Sequence, residues 1–129
     1  MKFDNNKPIF AQISDGVCNS ILSGEMKAGD RVLSVRELSA KIQVNPNTVL
    51  RAYSELQETG LIEQQRGIGY FVTRDAKRIV RRLKRKEFEE KYLPELFELM
   101  DAFEIDGEYL QNRYGEYKAA KEKSDETDE

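Results

Sequence analysis

The sequence of 129 residues predicts a mainly α-helical fold with one small β-hairpin. Over most of the chain, apolar residues recur at spacings of three and four, which is typical of amphipathic helices. Residues 61–73 break this pattern, because they combine aromatic and β-branched side chains with two glycines placed two positions apart. That combination favours a tight hairpin. Three helices are predicted before the hairpin, and further helices follow it.

Residues at the helix ends mark the first two helices. Pro8 is expected at the first position of helix one, where its missing N–H costs nothing, and Gly24 is expected to close that helix in the left-handed conformation. Helix two is expected to open at Ser34, because Ser34 and Glu37 have the spacing of a capping box, in which each side chain accepts the other residue's backbone N–H. The apolar stripe of helix one is expected to comprise Phe10, Ile13, Val17 and Ile21.

The third helix follows the second almost directly. Asn45 is a good N-cap and Pro46 a good first residue, so this helix is expected to run from Pro46 to a stop at Gly60. Two short amphipathic helices with so tight a connection are typical of a helix-turn-helix, and a β-hairpin after them makes it a winged helix-turn-helix. Residues 1–74 are therefore predicted to form a winged helix-turn-helix domain. The buried stripe of helix three is expected to comprise Val49, Ala52, Tyr53 and Leu56.

Residues 75–121 return to a helical pattern and are predicted to form a helical dimerisation region. Pro94 is expected to kink the helix or start a new one near Tyr92, and Asp106 is expected to cap a final helix. Two helices cannot enclose so much apolar and aromatic surface, which favours a twofold homodimer; packing on the winged domain is the alternative. The predicted dimer contacts are Leu93, Leu96, Phe97, Met100, Phe103, Leu110, Tyr114 and Tyr117.

The composition argues against an enzyme. The sequence has no histidine and a single cysteine, Cys18, which excludes Ser–His and Cys–His catalysis, a disulfide framework and nearly all zinc chemistry. No carboxylate, metal-binding or nucleotide-binding pattern stands out, so no catalytic residue, metal or cofactor is predicted. Cys18 is interpreted as a buried small apolar residue, with a redox role as the alternative. No apolar run could span a bilayer and the first residues lack a signal-peptide core, so a cytoplasmic location is expected.

The third helix also carries side chains suited to duplex DNA, because a helix fits the major groove and its N-terminal residues reach the base edges. Asn45 is foremost the helix cap, and Arg51 could pair with Glu55 rather than with DNA. Arg36, near the start of helix two, meets either a phosphate or a partner in its own helix. The candidate DNA-binding residues are Arg36, Asn45, Asn47, Thr48, Arg51 and, at the tip of the wing, Arg66 and Gly67.

Charge is distributed unevenly, although the formal net charge is only −3. Residues 75–93 carry a net charge of +4, whereas residues 94–129 carry −8. The basic run 77–86 either approaches the DNA flanks or is a solvated helix face, and contact with a membrane surface is a further option. The acidic tail, residues 122–129, has no apolar anchor and is expected to fray or be disordered.

Many segments of residues 8–73 agree in register with one known pattern. They are Pro8, Gln12-Ile13, Ile21, Gly24, Gly29-Asp30-Arg31, Ser34-Val35-Arg36-Glu37-Leu38, Asn47-Thr48-Val49, Ala52-Tyr53, Leu56, Gly60-Leu61-Ile62 and Arg66-Gly67-Ile68-Gly69-Tyr70-Phe71-Val72. These residues resemble the DNA-binding domain of the GntR family of bacterial transcription regulators. Residues 45–49 are similar to the YtrA-like subfamily, whose short two-helix C-terminal region suits a chain of this length.

The sequence departs from the family pattern at three places. Ala28 and Leu33 each stand where the family usually has proline, which alters loop rigidity more than chemistry. Pro46 stands where the family commonly has a basic residue, which removes one expected DNA contact.

The resemblance implies a transcription regulator that binds duplex DNA in a sequence-specific manner. The expected form is a homodimer on a palindromic operator, acting as a repressor. Two alternatives stay open. A winged-helix adaptor would contact protein instead of DNA, and a sensor would bind an unknown small-molecule effector, for which a dimer interface could provide the pocket. No membrane partner is expected.

Overall fold

The computed structural model describes residues 6–127 and divides into two compact units, of which the first ends at Arg85 and the second begins at Lys86. The sequence predicts a boundary after residue 74, earlier than the one observed. The difference has a packing cause, because Ala76 and Val80 are buried in the core of the first unit. The helix that carries them therefore belongs with the winged domain as far as Arg85.

The helices and strands of the first unit follow one another in the order of a winged helix-turn-helix. Its elements are α1 (Ile9–Ser23), β1 (Arg31–Val32), α2 (Val35–Ile42), α3 (Pro46–Glu58), β2 (Ile62–Gln65), β3 (Gly69–Val72) and α4 (Ala76–Glu87), the last of which crosses into the second unit. The predicted fold class, mainly helical with a small β-hairpin, is confirmed.

The ends of α1 and α2 follow the local capping rules. Pro8 is the N-cap of α1 rather than its first helical residue, because its ψ of 148° is extended. Gly24 closes α1 with φ +88°, as predicted. The capping box of α2 is also confirmed: the Glu37 N–H donates to Ser34 Oγ at 3.0 Å, and the Ser34 N–H donates to Glu37 Oε1 at 3.1 Å.

The connection between α2 and α3 consists of residues 43–45. Gln43 adopts φ +55°, a left-handed conformation that ends α2. The Asn45 side chain then accepts the Asn47 N–H at 2.8 Å, and Pro46 is the first residue of α3. Both predictions for this turn are confirmed, and together they give the tight connection of a helix-turn-helix.

The wing is part of a three-stranded antiparallel sheet with the order β1-β3-β2. The predicted hairpin is formed by β2 and β3, with Ile62 opposite Val72. The sheet has one more strand than predicted, because β1 pairs Arg31 with Phe71 on the outer side of β3. A strand of two residues is too short to show an alternating pattern in the sequence.

Side chains from all three helices before the wing, from the sheet and from α4 meet in one core. At its centre Tyr53 is fully buried, and its hydroxyl donates to the Leu33 carbonyl at 2.5 Å. Burial raises the pKa of the Tyr53 hydroxyl far above its ordinary value, so this donor stays protonated. The predicted stripe of α3 is confirmed as the part of this core made of Val49, Ala52, Tyr53 and Leu56. The opposite face of α3 consequently points outward.

The second unit consists of helical segments, and a new α-helix begins at Leu93, directly before Pro94. A π-helical segment (Phe88–Tyr92) is followed by α5 (Leu93–Ala102) and α6 (Gly107–Thr127). Proline has no N–H to bond to the carbonyl four residues back, and the Leu93 N–H reaches five residues back to Phe88. The predicted new start near Tyr92 is confirmed.

The last helix is longer than predicted. Asp106 Oδ1 accepts the Tyr109 N–H at 2.8 Å, which confirms the expected cap of α6. The tail expected to be disordered is helical as far as Thr127, and residues 128 and 129 lie outside the described residues. Residues 118–123 are all alanine, lysine or glutamate, which are strong helix formers, so a helix that has already started can propagate through them.

Candidate nucleic-acid interface

The outer face of α3 is polar and accessible to a ligand. Asn47, Arg51 and Ser54 are exposed on the side opposite the buried stripe, and Thr48 is half-buried in the first turn. Leu50 lies between them and is also exposed. Because the buried stripe fixes the rotation of α3, the residues that project outward from its first turn are those predicted from the sequence.

The side chain of Asn45 forms a structural hydrogen bond within the protein. Its side-chain oxygen accepts the backbone N–H of Asn47, which satisfies one of the free donors at the start of α3. The side chain is exposed, so its amide group lies at the protein surface beside Asn47. The cap role is therefore confirmed, and a DNA contact by Asn45 stays a prediction.

Arg51 lies against a residue that the sequence did not suggest. Its guanidinium carbon is 3.8 Å from the centre of the Phe10 ring, which is a cation–π contact between α3 and the start of α1. The sequence left open a DNA contact or a pair with Glu55. The structure adds a third interaction, in which the ring supports one face of the guanidinium.

The start of α2 brings a cation to a helix N-terminus. Arg36 is exposed and is the second residue of α2. Free N–H groups and the positive end of the helix dipole favour anions at this end of a helix, and an arginine adds a full charge. The neighbouring Glu37 is held ionised, because hydrogen bonds from Ser34 and, less strongly, the charge of Arg31 lower the pKa of its carboxyl group.

The tip of the wing is a tight turn with a cation on it. The Ile68 N–H donates to the Gln65 carbonyl at 2.9 Å, and Gly67 adopts φ +78°, a conformation that favours glycine. Arg66, Gly67 and Ile68 are all exposed. The two predicted wing residues are therefore at the tip, and an exposed isoleucine that the sequence did not single out accompanies them.

Arg31 is a residue of this surface that the prediction missed. Its Nη2 lies 3.5 Å from Glu37 Oε1, so it joins β1 to the start of α2. The pairing of β1 with β3 is a contact between distant parts of the chain, and nothing in the sequence around Arg31 indicates it. Only the cation that directly follows the Gly29-Asp30 turn could have drawn attention to it.

Other kinds of site have little support in the part of the chain that the structure describes. Within residues 6–127, no three His, Cys, Asp or Glu side chains are grouped so that they could hold a metal ion. Cys18 is half-buried, and burial raises the pKa of its thiol, which makes it a poorer nucleophile. None of the helices described is both long and apolar enough to cross a membrane.

Comparisons with known proteins bear on the same residues. The sequence pattern of the family described as "Bacterial regulatory proteins, gntR family" matches residues 10–72. The chain is 41% identical over 85 residues to the uncharacterized HTH-type transcriptional regulator YhcF of Bacillus subtilis, covering 66% of this chain and 69% of YhcF. It is 45% identical over 73 residues to the HTH-type transcriptional repressor YtrA of the same organism, covering 57% of this chain and 56% of YtrA.

A solved structure extends the likeness. A GntR family transcriptional regulator from Listeria monocytogenes superposes with a TM-score of 0.70 at 37% sequence identity, covering 88% of this chain and 98% of that chain. The family resemblance found in the sequence is thereby confirmed by sequence and structure alike. The chain belongs to the GntR family of bacterial regulatory proteins, and it is a DNA-binding transcription regulator of the YtrA-like type.

Proposed function

We propose that the protein is a homodimeric repressor that binds a palindromic operator in duplex DNA. The outer face of α3 carries this proposal: its first turn presents Asn47 and Thr48, while its opposite face is held in the core. In this arrangement α3 enters the major groove and the wing tip lies along the adjacent backbone.

The polar residues of α3 are assigned to the bases. The Asn47 amide can both donate and accept, which suits adenine, and the Thr48 hydroxyl can bond to a base edge or a phosphate. Arg51 is assigned to a phosphate or a guanine edge one turn further along α3. Asn45, whose oxygen serves the helix cap, has at most its amide N–H₂ for DNA.

The cations outside α3 are assigned to the phosphate backbone. Arg36 stands at the N-terminus of α2, where the helix dipole and its own charge both favour a phosphate. Arg66 suits a phosphate or a narrow minor groove, and Gly67 allows the wing backbone to approach closely. These contacts set the position of the protein on the duplex, whereas α3 supplies the sequence preference.

Assembly as a dimer is supported by the exposed surface of the second unit. Among the side chains described there, none is buried, and Phe103 and Tyr114 are 66% and 61% exposed. Tyr114 and Tyr117 stack with their ring centres 6.3 Å apart, and both rings are exposed. Large exposed apolar patches mark protein interfaces, and a twofold copy would also present two α3 helices to two half-sites. The proposed contacts are Leu93, Leu96, Phe97, Met100, Phe103, Leu110, Tyr114 and Tyr117.

Repression is supported by one relative. YtrA of Bacillus subtilis is named a transcriptional repressor, and it shares 45% identity over 73 residues with this chain, which spans 56% of its length. Occupation of an operator that overlaps a promoter is enough to block transcription and needs no catalytic residue. An effector that releases the protein from DNA is compatible with this function, and a dimer interface is where we would look for it.

The decisive experiment is selection of bound sites from random duplex DNA by the full chain, followed by a salt titration on the selected site. We expect an inverted repeat and an affinity that falls steeply with salt, because about five to eight phosphate contacts release their counterions on binding. Enrichment of no sequence, together with an affinity that salt does not change, would favour a winged-helix adaptor that binds protein.

A further inference from the structure

We propose that Arg31 is a positioning residue that holds the wing against the start of α2 and thereby sets the DNA affinity of the interface proposed above. Arg31 is not one of the assigned DNA contacts. It lies on β1, opposite Phe71 of β3. The inference rests on the proposed function for its DNA readout, and on contacts within the first unit for the rest.

The first contact joins Arg31 to a carboxylate that is itself fixed. Arg31 Nη2 lies 3.5 Å from Glu37 Oε1. The same oxygen accepts the Ser34 N–H at 3.1 Å, and the Glu37 N–H donates to Ser34 Oγ at 3.0 Å. Because the capping box holds the carboxylate in place, Arg31 is bound to a rigid point at the N-terminus of α2 rather than to a mobile surface side chain.

The second contact joins Arg31 to the base of the wing tip. A Cβ atom added to Gly69 would lie 3.0 Å from Arg31 Nε and within 4 Å of Nη2 and Cζ, so the guanidinium occupies the space that a side chain would take there. Gly69 is the first residue of β3, directly after the turn that carries Arg66 and Gly67. The geometry fits a diagonal cross-strand pair, because Arg31 faces Phe71 and Gly69 is two residues away.

These two contacts give Arg31 a role in the spacing of the interface. The wing tip and the start of α2 are the two places to which phosphate contacts are assigned, at Arg66 and Arg36. Arg31 contacts Glu37, which is next to Arg36, and lies against Gly69, which directly follows the turn that carries Arg66. If the wing were free to move, binding would have to order it, and that ordering would lower the affinity. Because Arg31 holds the wing in place before binding, the cost of ordering the wing does not lower the affinity.

The direction in which Glu37→Gln changes the DNA affinity separates this role from a direct phosphate contact. Glu37→Gln keeps an acceptor for the capping box but removes the charge that holds Arg31. Electrostatics alone predicts tighter DNA binding by this variant, since a negative charge next to the phosphates is lost. A positioning role predicts weaker binding, because the wing is released.

The test measures operator affinity and its salt dependence for the full chain with Arg31→Gln, Glu37→Gln and both substitutions together. We expect each single variant to bind about two- to fivefold more weakly, as fits the loss of an exposed ion pair. The double variant should bind no more weakly than Arg31→Gln, and the salt slope should stay at the wild-type value. Lys27→Gln, which removes a cation from the connection before β1, is the charge-matched control and should bind like the wild type.

A second measurement does not depend on DNA. Amide hydrogen exchange should become faster in Arg31→Gln and Glu37→Gln, but not in Lys27→Gln, at the Ile68 N–H that closes the wing turn and at the Val72 N–H that bonds to the Asp30 carbonyl. Faster exchange would support the positioning role even if the wild-type protein bound no DNA, in which case only the proposed function would fail. Unchanged exchange, tighter binding by Glu37→Gln, or a salt slope reduced by about one in Arg31→Gln would each overturn the inference.

Discussion

The guanidinium carbon of Arg51 lies 3.8 Å from the centre of the Phe10 ring, so an arginine on the outer face of α3 packs against the first turn of α1. The contact limits the conformations of a long side chain before DNA arrives. A side chain whose position is already restricted loses less entropy when it binds. Phe10 is thus a support for Arg51 rather than only part of the partly buried rim around the core.

Phe10→Leu is expected to weaken operator binding by about two- to fivefold, the range that an exposed cation–π contact of about 0.5–1 kcal/mol supports. The loss should disappear in the background of Arg51→Ala, because the support then has nothing to hold. The measurement is a double-mutant cycle on operator affinity, with Ile9→Leu as the control next to Phe10. Tighter binding by Phe10→Leu would mean that the ring keeps Arg51 away from DNA.

Arg36→Ala and Arg66→Ala are expected to lower operator affinity and to reduce the slope of log affinity against log salt by about one for each protomer. The reason is that each arginine is assigned to a phosphate and releases counterions when it binds. A salt titration of both variants on the selected operator measures the slope. Lys121→Ala, which removes an exposed cation from α6, should leave the slope unchanged.

Asn47→Ala is expected to act on sequence preference instead. The cost should be about 1–3 kcal/mol on the operator and much less on unrelated DNA, since a bidentate base contact is lost while the phosphate contacts stay. Competition between operator and random duplex measures this ratio. An equal loss on both kinds of DNA would show that Asn47 binds the backbone.

Tyr114→Asp is expected to convert the dimer to a monomer, because a charge would have to be buried in the proposed interface. Sedimentation equilibrium of the full chain gives the mass directly. Tyr109→Asp is the matched control, since Tyr109 is an exposed aromatic residue of the same helix outside the proposed contacts. A wild-type protein that is monomeric at all concentrations would refute the dimer, and so would a Tyr114→Asp variant of unchanged mass.

The lowered pKa of Glu37 predicts that the free energy of unfolding decreases as the pH falls. Its pKa is lower in the folded protein than in the unfolded chain, mainly through the hydrogen bond from the Ser34 N–H. The stabilisation is therefore fully present above the unfolded pKa and is lost as the pH falls through the folded pKa. Thermal unfolding between about pH 3 and pH 7 should show the wild type losing stability with acid more steeply than Glu37→Gln. Parallel curves for the two proteins would contradict this linkage.

The features that could be predicted from the sequence are local. The capping box at Ser34, the N-cap at Asn45 and the left-handed Gly24 each depend on residues within a few positions, and all three are present as expected. The buried stripe of α3 follows from helical spacing alone. The candidate residues of α3 face outward for the same reason, because a helix with one buried face must present the other.

The features that the sequence did not reveal depend on contacts between distant residues. Strand β1 exists only because Arg31 and Val32 pair with β3, some forty positions later. The contact of Arg31 with Gly69 and the contact of Arg51 with Phe10 also join residues that are far apart in the sequence. The boundary between the two units lies later than predicted because Val80 is buried in the core of the first unit. The apolar residues near Val80 fit a helical pattern that continues beyond it, so the sequence did not show where the first unit ends.

Pro46, the first residue of α3, has a consequence for the base preference of this protein. A rigid ring without charge or N–H opens the helix where the family commonly carries a cation, so one expected DNA contact is absent at this position. In the proposed interface, the carboxamide of Asn47 carries more of the base discrimination, because its pair of hydrogen bonds matches the edge of adenine. Each arm of the selected inverted repeat should accordingly be anchored by an A·T pair beneath the entry of α3.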